Sequence, residues 1–87
     1  MKSPNLVSDL ARHITLRQLQ VFESVARNNS FTRASEELFL AQPTVSMQLK
    51  KLADTVGLPL FEQRGIRIHL TEAGNEVYTI CQEIFDN

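Results

Sequence analysis

The 87-residue chain predicts a mainly α domain carrying one short β-hairpin, and three observations support that class. Apolar residues recur every three or four positions through four separate stretches, which is the period of amphipathic helices. After Pro59 the period changes, and two short apolar-polar runs flank Gly65, as strands of a hairpin would. Gly and Pro stand between the periodic stretches, at Gly57, Pro59 and Gly65, where helices are expected to stop.

Residues 1–14 show no sustained pattern and include Ser3, Pro4 and Asn5, so a flexible N-terminal extension is expected there. Thr15 and Gln18 have the spacing of a capping box. Leu16, Leu19, Phe22, Val25 and Ala26 then form a helical stripe that fades at Asn28 and Asn29. Ser30 suits the N-cap of a second helix, with Phe31 expected to turn inward beside Phe22. Ala34, Leu38 and Leu40 continue the apolar period, a short step follows, and Val45, Leu49 and Leu52 take it up again. The step marks a turn. Pro43 is tolerated only in the first turn of a helix, where a missing N–H costs nothing, so a third helix is expected to begin near Gln42. It should end near Val56, because Gly57 fits a left-handed C-cap and Pro59 follows two residues later.

Two helices joined at a tight angle, with small Ala34 and Ser35 letting them approach, have the layout of a DNA-reading helix-turn-helix. Ala41, Gln42, Pro43 and Thr44 offer small or amide side chains suited to the exposed first turn of a helix lying in a groove. An ordinary helical hairpin with merely solvated glutamines has the same spacing. Beyond it, Leu60 to Glu62 and Ile68 to Leu70 are strand candidates that reverse at Gly65 to form a wing over about 60–70. Arg64 and Arg67 lie near its tip, placed for phosphates or the minor groove, or simply for solvent. Thr71 then suits the N-cap of a last helix over 71–87, with Glu72 favourable in its first turn. Ala73, Val77, Ile80, Cys81 and Ile84 form its apolar stripe, widened by Tyr78 and Phe85, and Gly74 within it hints at a close backbone approach.

Length and composition bound the rest. A chain this short is one domain at most, and its apolar runs are too brief to span a bilayer or serve as a signal peptide, so a cytoplasmic location is expected. The single cysteine, Cys81, has no internal partner and suits a buried small apolar role. The formal net charge of −1 argues against nucleic acid, but its distribution weakens the objection. Residues 1–71 hold all nine Lys and Arg against six acids, and 72–87 hold four acids and no base. Arg12, Arg17, Arg27, Arg33, Lys50, Lys51, Arg64 and Arg67 give the body a basic balance.

The run FTRASEELFLAQPTVSMQLKKLADTVGLPLFEQRGIRIHLTEAG resembles the N-terminal DNA-binding domain of the LysR-type transcriptional regulators. The small pair Ala34–Ser35, then QPTVS, GLPLFEQ and LTEAG, stand in that family's order and spacing, and the likeness covers about Thr15 to Asp86. The wording VFESVARNNSFTRASEELF and LPLFEQ most resembles the branch of CbbR and CmpR, regulators of carbon-dioxide fixation and bicarbonate uptake. The resemblance implies a winged helix-turn-helix over 15–70 followed by a linker and dimerisation helix over 71–87. It also implies double-stranded DNA with an inverted-repeat operator as the partner. Carried over by position, Gln42, Pro43, Thr44 and Ser46 face the major groove with Gln48 a turn further along, while Arg33, Lys50, Arg64 and Arg67 are phosphate candidates. Gln42 has the amide geometry to pair with adenine. Val77, Ile80, Cys81 and Ile84 would pair two copies, with a tetramer open to the full-length protein, and an effector-binding domain absent from this chain would take any small molecule. Two departures stand out: Ala41 replaces a capping serine or threonine, and Met47 replaces an arginine.

No catalytic pattern appears. His13 and His69 lack metal-ligand spacing with Cys81, and no Gly-rich phosphate loop is present, so neither an enzyme nor a cofactor or metal is expected. The competing function is a winged helix that binds only protein.

Overall fold

The computed structural model describes residues 13–85, so the expected N-terminal extension lies almost wholly outside the described residues. The elements follow in the order α1 Leu16–Asn28, α2 Phe31–Leu38, α3 Gln42–Val56, β1 Phe61–Arg64, β2 Arg67–Leu70 and α4 Glu72–Phe85. It is the mainly helical winged arrangement that the sequence predicts.

Local chemistry sets the boundaries. The Thr15 hydroxyl accepts the Gln18 N–H at 3.0 Å, and the Gln18 side chain accepts the Thr15 N–H at 3.2 Å, so the capping box is complete. The Ser30 hydroxyl accepts the Arg33 N–H at 3.0 Å and starts α2. α3 begins with no side-chain cap at Ala41 and with Pro43 in its first turn, and it ends on Gly57 at φ 87°. The turn between α2 and α3 holds one surprise: Phe39 takes the left-handed conformation at φ 57° and is 94 % exposed.

The core lies where α1 meets α2, α3 and α4. Phe22, Val21, Val25, Ala34, Val45, Leu52, Leu60, Val77 and Cys81 are buried there, an apolar cluster whose removal from water is the main favourable term in folding. Phe61 at the base of the wing packs its ring 5.2 Å from Phe22 and 6.1 Å, edge-on, from Phe31. The expected Phe22–Phe31 neighbourhood is therefore built through Phe61, which anchors the hairpin to the helices.

The hairpin is antiparallel, pairing Phe61 with Leu70 and Arg64 with Arg67. It runs one or two residues further toward the tip than the sequence indicates, because Gly65 at φ 63° completes the reversal in two residues. A clasp ties it to α4. The Thr71 N–H donates to the Leu60 carbonyl at 3.0 Å, and the Thr71 hydroxyl donates to the Pro59 carbonyl at 2.7 Å. The same hydroxyl accepts the Gly74 N–H at 3.0 Å. Gly74 is required by the approach itself, since a Cβ there would lie 2.1 Å from the Leu60 carbonyl oxygen.

Candidate nucleic-acid interface

Helical periodicity decides what α3 offers to the outside. Val45, Leu49 and Leu52 are spent on the core, so the remaining positions turn away from it. Pro43, Met47 and Asp54 point away from the core, and Met47 is 44 % exposed. Gln42, Ser46 and Lys50, one turn apart, line one flank and are exposed; Thr44 and Gln48 line the other and are half-buried. The flank of Ser46 and Lys50 borders a shallow groove shared with Phe31, Pro59 and Phe61. The expected reading positions thus fall on one continuous surface of the third helix, with the wing base beside it.

Gln42 is not a free side chain. Its amide Nε2 donates to the Thr32 hydroxyl oxygen at 2.5 Å, across the turn from α2.

The wing presents two faces with the period of a strand. Phe61, Ile68 and Leu70 turn toward the core and are half-buried. Glu62, Arg64, Arg67 and His69 share the opposite face, all exposed. On it, the Arg64 guanidinium donates to the Glu62 carboxylate at 2.8 Å. Ile66, at the tip between the arginines, is 95 % exposed.

The cations divide into paired and open. Lys50 meets Asp54 at 3.5 Å within α3, a solvated pair worth little. Arg27 is held by Glu23 at 2.8 Å and by Glu37. These charge-assisted hydrogen bonds raise the Arg27 pKa. Glu37 also accepts from Asn28 at 2.7 Å and from Ser24 at 3.1 Å, and its carboxyl lies below the ordinary carboxylate range, chiefly through Arg27. Arg27 thus belongs to a bracket between α1 and α2. Arg33 and Arg67 take part in no ion pair among the described residues.

The last helix divides its stripe. Val77 and Cys81 are buried in the core of a single copy, at 1 % and 0 % exposure, so these two expected seam positions are spent internally. The reason is α1: the Cys81 thiol donates to the Leu19 carbonyl at 3.7 Å, and burial pushes its pKa up to about 12. Ile80 is half-buried, and Ile84 is 47 % exposed.

Thr32 and Glu62 did not emerge as site residues from the sequence. Glu62 carries a legible signal, since two residues of separation on a strand put it on the face of Arg64. Thr32 carries none, because its partner is ten residues away across a turn. Among the described residues, no three His, Cys, Asp or Glu side chains gather to hold a metal, and no helix is long and apolar enough to cross a membrane.

A tight two-helix corner, a polar outward helix and an arginine-bearing hairpin define a winged helix-turn-helix domain. The chain belongs to the LysR family of bacterial regulatory helix-turn-helix proteins, whose pattern matches residues 16–75. It is 62 % identical over 72 residues to the RuBisCO operon transcriptional regulator of Allochromatium vinosum, covering 83 % of this chain and 24 % of that protein. It is 52 % identical over 73 residues to the HTH-type transcriptional activator CmpR of Synechocystis, covering 84 % of this chain and 24 % of that one. The chain therefore spans about a quarter of the length of these relatives. Its backbone is similar to that of the BenM DNA-binding domain in complex with catB site 1 DNA, at TM-score 0.79 and 31 % identity over 85 % of this chain and 83 % of that one. The CbnR DNA-binding domain in its DNA complex is similar at TM-score 0.77 and 29 % identity over 84 % of each. These relatives are named as transcriptional regulators, and the likeness is to the branch of CbbR and CmpR.

Proposed function

We propose that this domain binds double-stranded DNA sequence-specifically, with α3 in the major groove and the hairpin at the minor groove or backbone. The observation that carries the proposal is the continuous exposed surface of Gln42, Pro43, Ser46 and Lys50 on α3, with Phe61 seating the wing beside it. Within it, Gln42 reads a base edge, Pro43 and Thr44 press on a thymine methyl, and Ser46 holds a phosphate, with Gln48 further along. Arg33, Lys50, Arg64 and Arg67 hold the backbone; Met47 brings apolar contact where a cation is otherwise common. The likeness to two regulator–DNA complexes supports this over a module that binds only protein.

In the whole protein, this domain would direct a cytoplasmic regulator to genes of carbon assimilation, in keeping with relatives named for the RuBisCO operon. Residues 71–87 would act as the linker that pairs two copies on an inverted repeat, with Ile80 and Ile84 offering the accessible apolar surface. An effector would bind elsewhere in the full-length protein, outside these residues.

The test is fluorescence anisotropy on a duplex selected from random sequence and on a scrambled control. Tight binding to the selected duplex should fall steeply with salt, because phosphate contacts release counterions. Gln42→Ala should lose preference at particular positions, whereas Arg67→Ala should weaken both duplexes alike. Equal, salt-independent binding to both would leave the protein-only module standing instead.

A further inference from the structure

We infer that Thr32 is a positioning residue for base reading: its hydroxyl holds the Gln42 carboxamide in the plane that the base edge requires. This rests on the assignment of Gln42 as a base reader. Gln42 is exposed, at the first position of a helix whose N-cap, Ala41, supplies no side-chain hydrogen bond. A glutamine there has three free torsions and would sample many orientations. One contact limits it: Nε2 donates to Thr32 Oγ1 at 2.5 Å. Thr32 is itself a fixed point, a β-branched residue in the first turn of α2 whose carbonyl accepts the Ser35 hydroxyl at 2.7 Å.

The hydrogen-bond inventory makes the two roles compatible. A carboxamide has two N–H donors and an oxygen with two lone pairs. Bidentate pairing with adenine takes one N–H, toward N7, and the oxygen, toward the N6 amino group. Thr32 occupies the other N–H, so the contact that fixes the side chain takes nothing that the base needs. The bond also crosses between the two helices of the motif, so the orientation of the reader is set by the same corner that sets the helix angle.

The experiment uses the full 87-residue chain and anisotropy titrations on the selected duplex and on duplexes altered one base pair at a time. Parent, Thr32→Val, Thr32→Ser, Gln42→Ala and the Thr32→Val/Gln42→Ala double variant are compared at one salt concentration. The base pair read by Gln42 is the one at which Gln42→Ala loses discrimination. At that pair, Thr32→Val should lose discrimination by about 3–10-fold while keeping its affinity for a scrambled duplex, since one bidentate contact discriminates by roughly 5–150-fold. Thr32→Ser, which keeps the hydroxyl, should retain it. In the Gln42→Ala background, Thr32→Val should have no further effect. Circular dichroism establishes that each variant is folded at the assay temperature, and Thr32→Ala replaces Thr32→Val if the valine disturbs α2. If Gln42→Ala loses discrimination and Thr32→Val does not, Gln42 reads without help and the inference is wrong. Equal weakening by Thr32→Val on every duplex, or a Thr32→Val loss that persists without Gln42, makes Thr32 a phosphate contact or a packing residue and also overturns it. If Gln42→Ala keeps full discrimination everywhere, the assignment of Gln42 fails, and the role of Thr32 fails with it.

Discussion

Gly74→Ala should destabilise the domain, although alanine is the better helix former. In an open helix the exchange gains about 1 kcal/mol. Here the added Cβ would stand 2.1 Å from the Leu60 carbonyl oxygen, 3.1 Å from its carbonyl carbon and 3.0 Å from Leu70 Cδ2. An ordinary carbon–oxygen contact is about 3.3–3.6 Å, so α4 and the wing base must separate by about 1 Å. Backbone cannot rotate out of the way as a side chain can. The separation stretches the Thr71 N–H bond to Leu60 and the Thr71 hydroxyl bond to Pro59, each worth about 0.5–1.5 kcal/mol. Overpacking adds about 1–3 kcal/mol. Less the helix gain, the expected loss is about 3 kcal/mol, which lowers Tm by about 12–24 °C in a domain of this size. Thermal and urea unfolding followed by circular dichroism measure it. Thr71→Ala, which loses the hydroxyl bonds to Pro59 and Gly74 but keeps the backbone bond to Leu60 and adds no clash, should cost less. A Gly74→Ala protein as stable as its parent would show that the approach of α4 to Leu60 is not what sets the hairpin in place.

Three further perturbations test the site and its frame. Glu62→Gln frees Arg64 from the 2.8 Å pair and removes a negative charge from the wing's exposed face, so affinity for DNA of any sequence should rise. The slope of log K against log salt should steepen by about 0.9 for one added phosphate contact, and an unchanged slope would leave Arg64 without a role. Cys81, buried with its pKa pushed up to about 12, should react with an aromatic disulfide reagent far more slowly in the native protein than in urea; equal rates would contradict its burial. Glu37, held below the ordinary carboxylate range by Arg27, adds stability that is present above the unfolded value of about 4.3. That stability is lost as pH falls through the lower folded value. Glu37→Gln should therefore flatten the acid limb of stability against pH, at a cost near neutrality of at most about 1 kcal/mol for so exposed a pair. An unaltered acid limb would assign that slope to other carboxylates.

The helices were legible because each carries its own punctuation. Thr15 with Gln18, Ser30, Pro43 and Gly57 mark ends by local hydrogen bonding or backbone preference, and local chemistry survives without knowledge of the fold. The outward face of α3 was legible for a related reason: once Val45, Leu49 and Leu52 are assigned to the core, a period of 3.6 leaves Pro43 and Met47 outward. What the sequence could not supply was the partner of a face. The stripe of α4 is a helical face by periodicity alone, but whether Val77 and Cys81 meet α1 or another copy depends on where α1 leaves room. The structure places α1 there, with Leu19 against Cys81. The Thr32–Gln42 bond escaped for the same reason, because it exists only once the corner between α2 and α3 is closed.

Phe39 is where local rules and the fold disagree, and the disagreement explains the corner. Glycine or asparagine is the usual residue for a left-handed helix end, and a phenylalanine there costs roughly 1–2 kcal/mol. Leu38 and Leu40 on either side both pack against the core, while the Leu40 N–H closes on the Ser35 carbonyl at 2.9 Å. Two neighbours separated by one residue can both turn inward at the end of a helix only if the residue between them reverses the chain. Phe39 is therefore driven outward and into positive φ by the burial of its neighbours, each a half-buried leucine contributing about 0.8–1.5 kcal/mol, half of the value for full burial. The strain is thus offset within three residues. It also fixes the direction in which the chain leaves α2, and hence the angle at which Gln42 begins α3. Phe39→Gly should raise stability by relieving the strain while leaving the bond from Gln42 to Thr32 intact. A lower Tm for Phe39→Gly would mean that the exposed ring contributes to the fold in a way its 94 % exposure does not show.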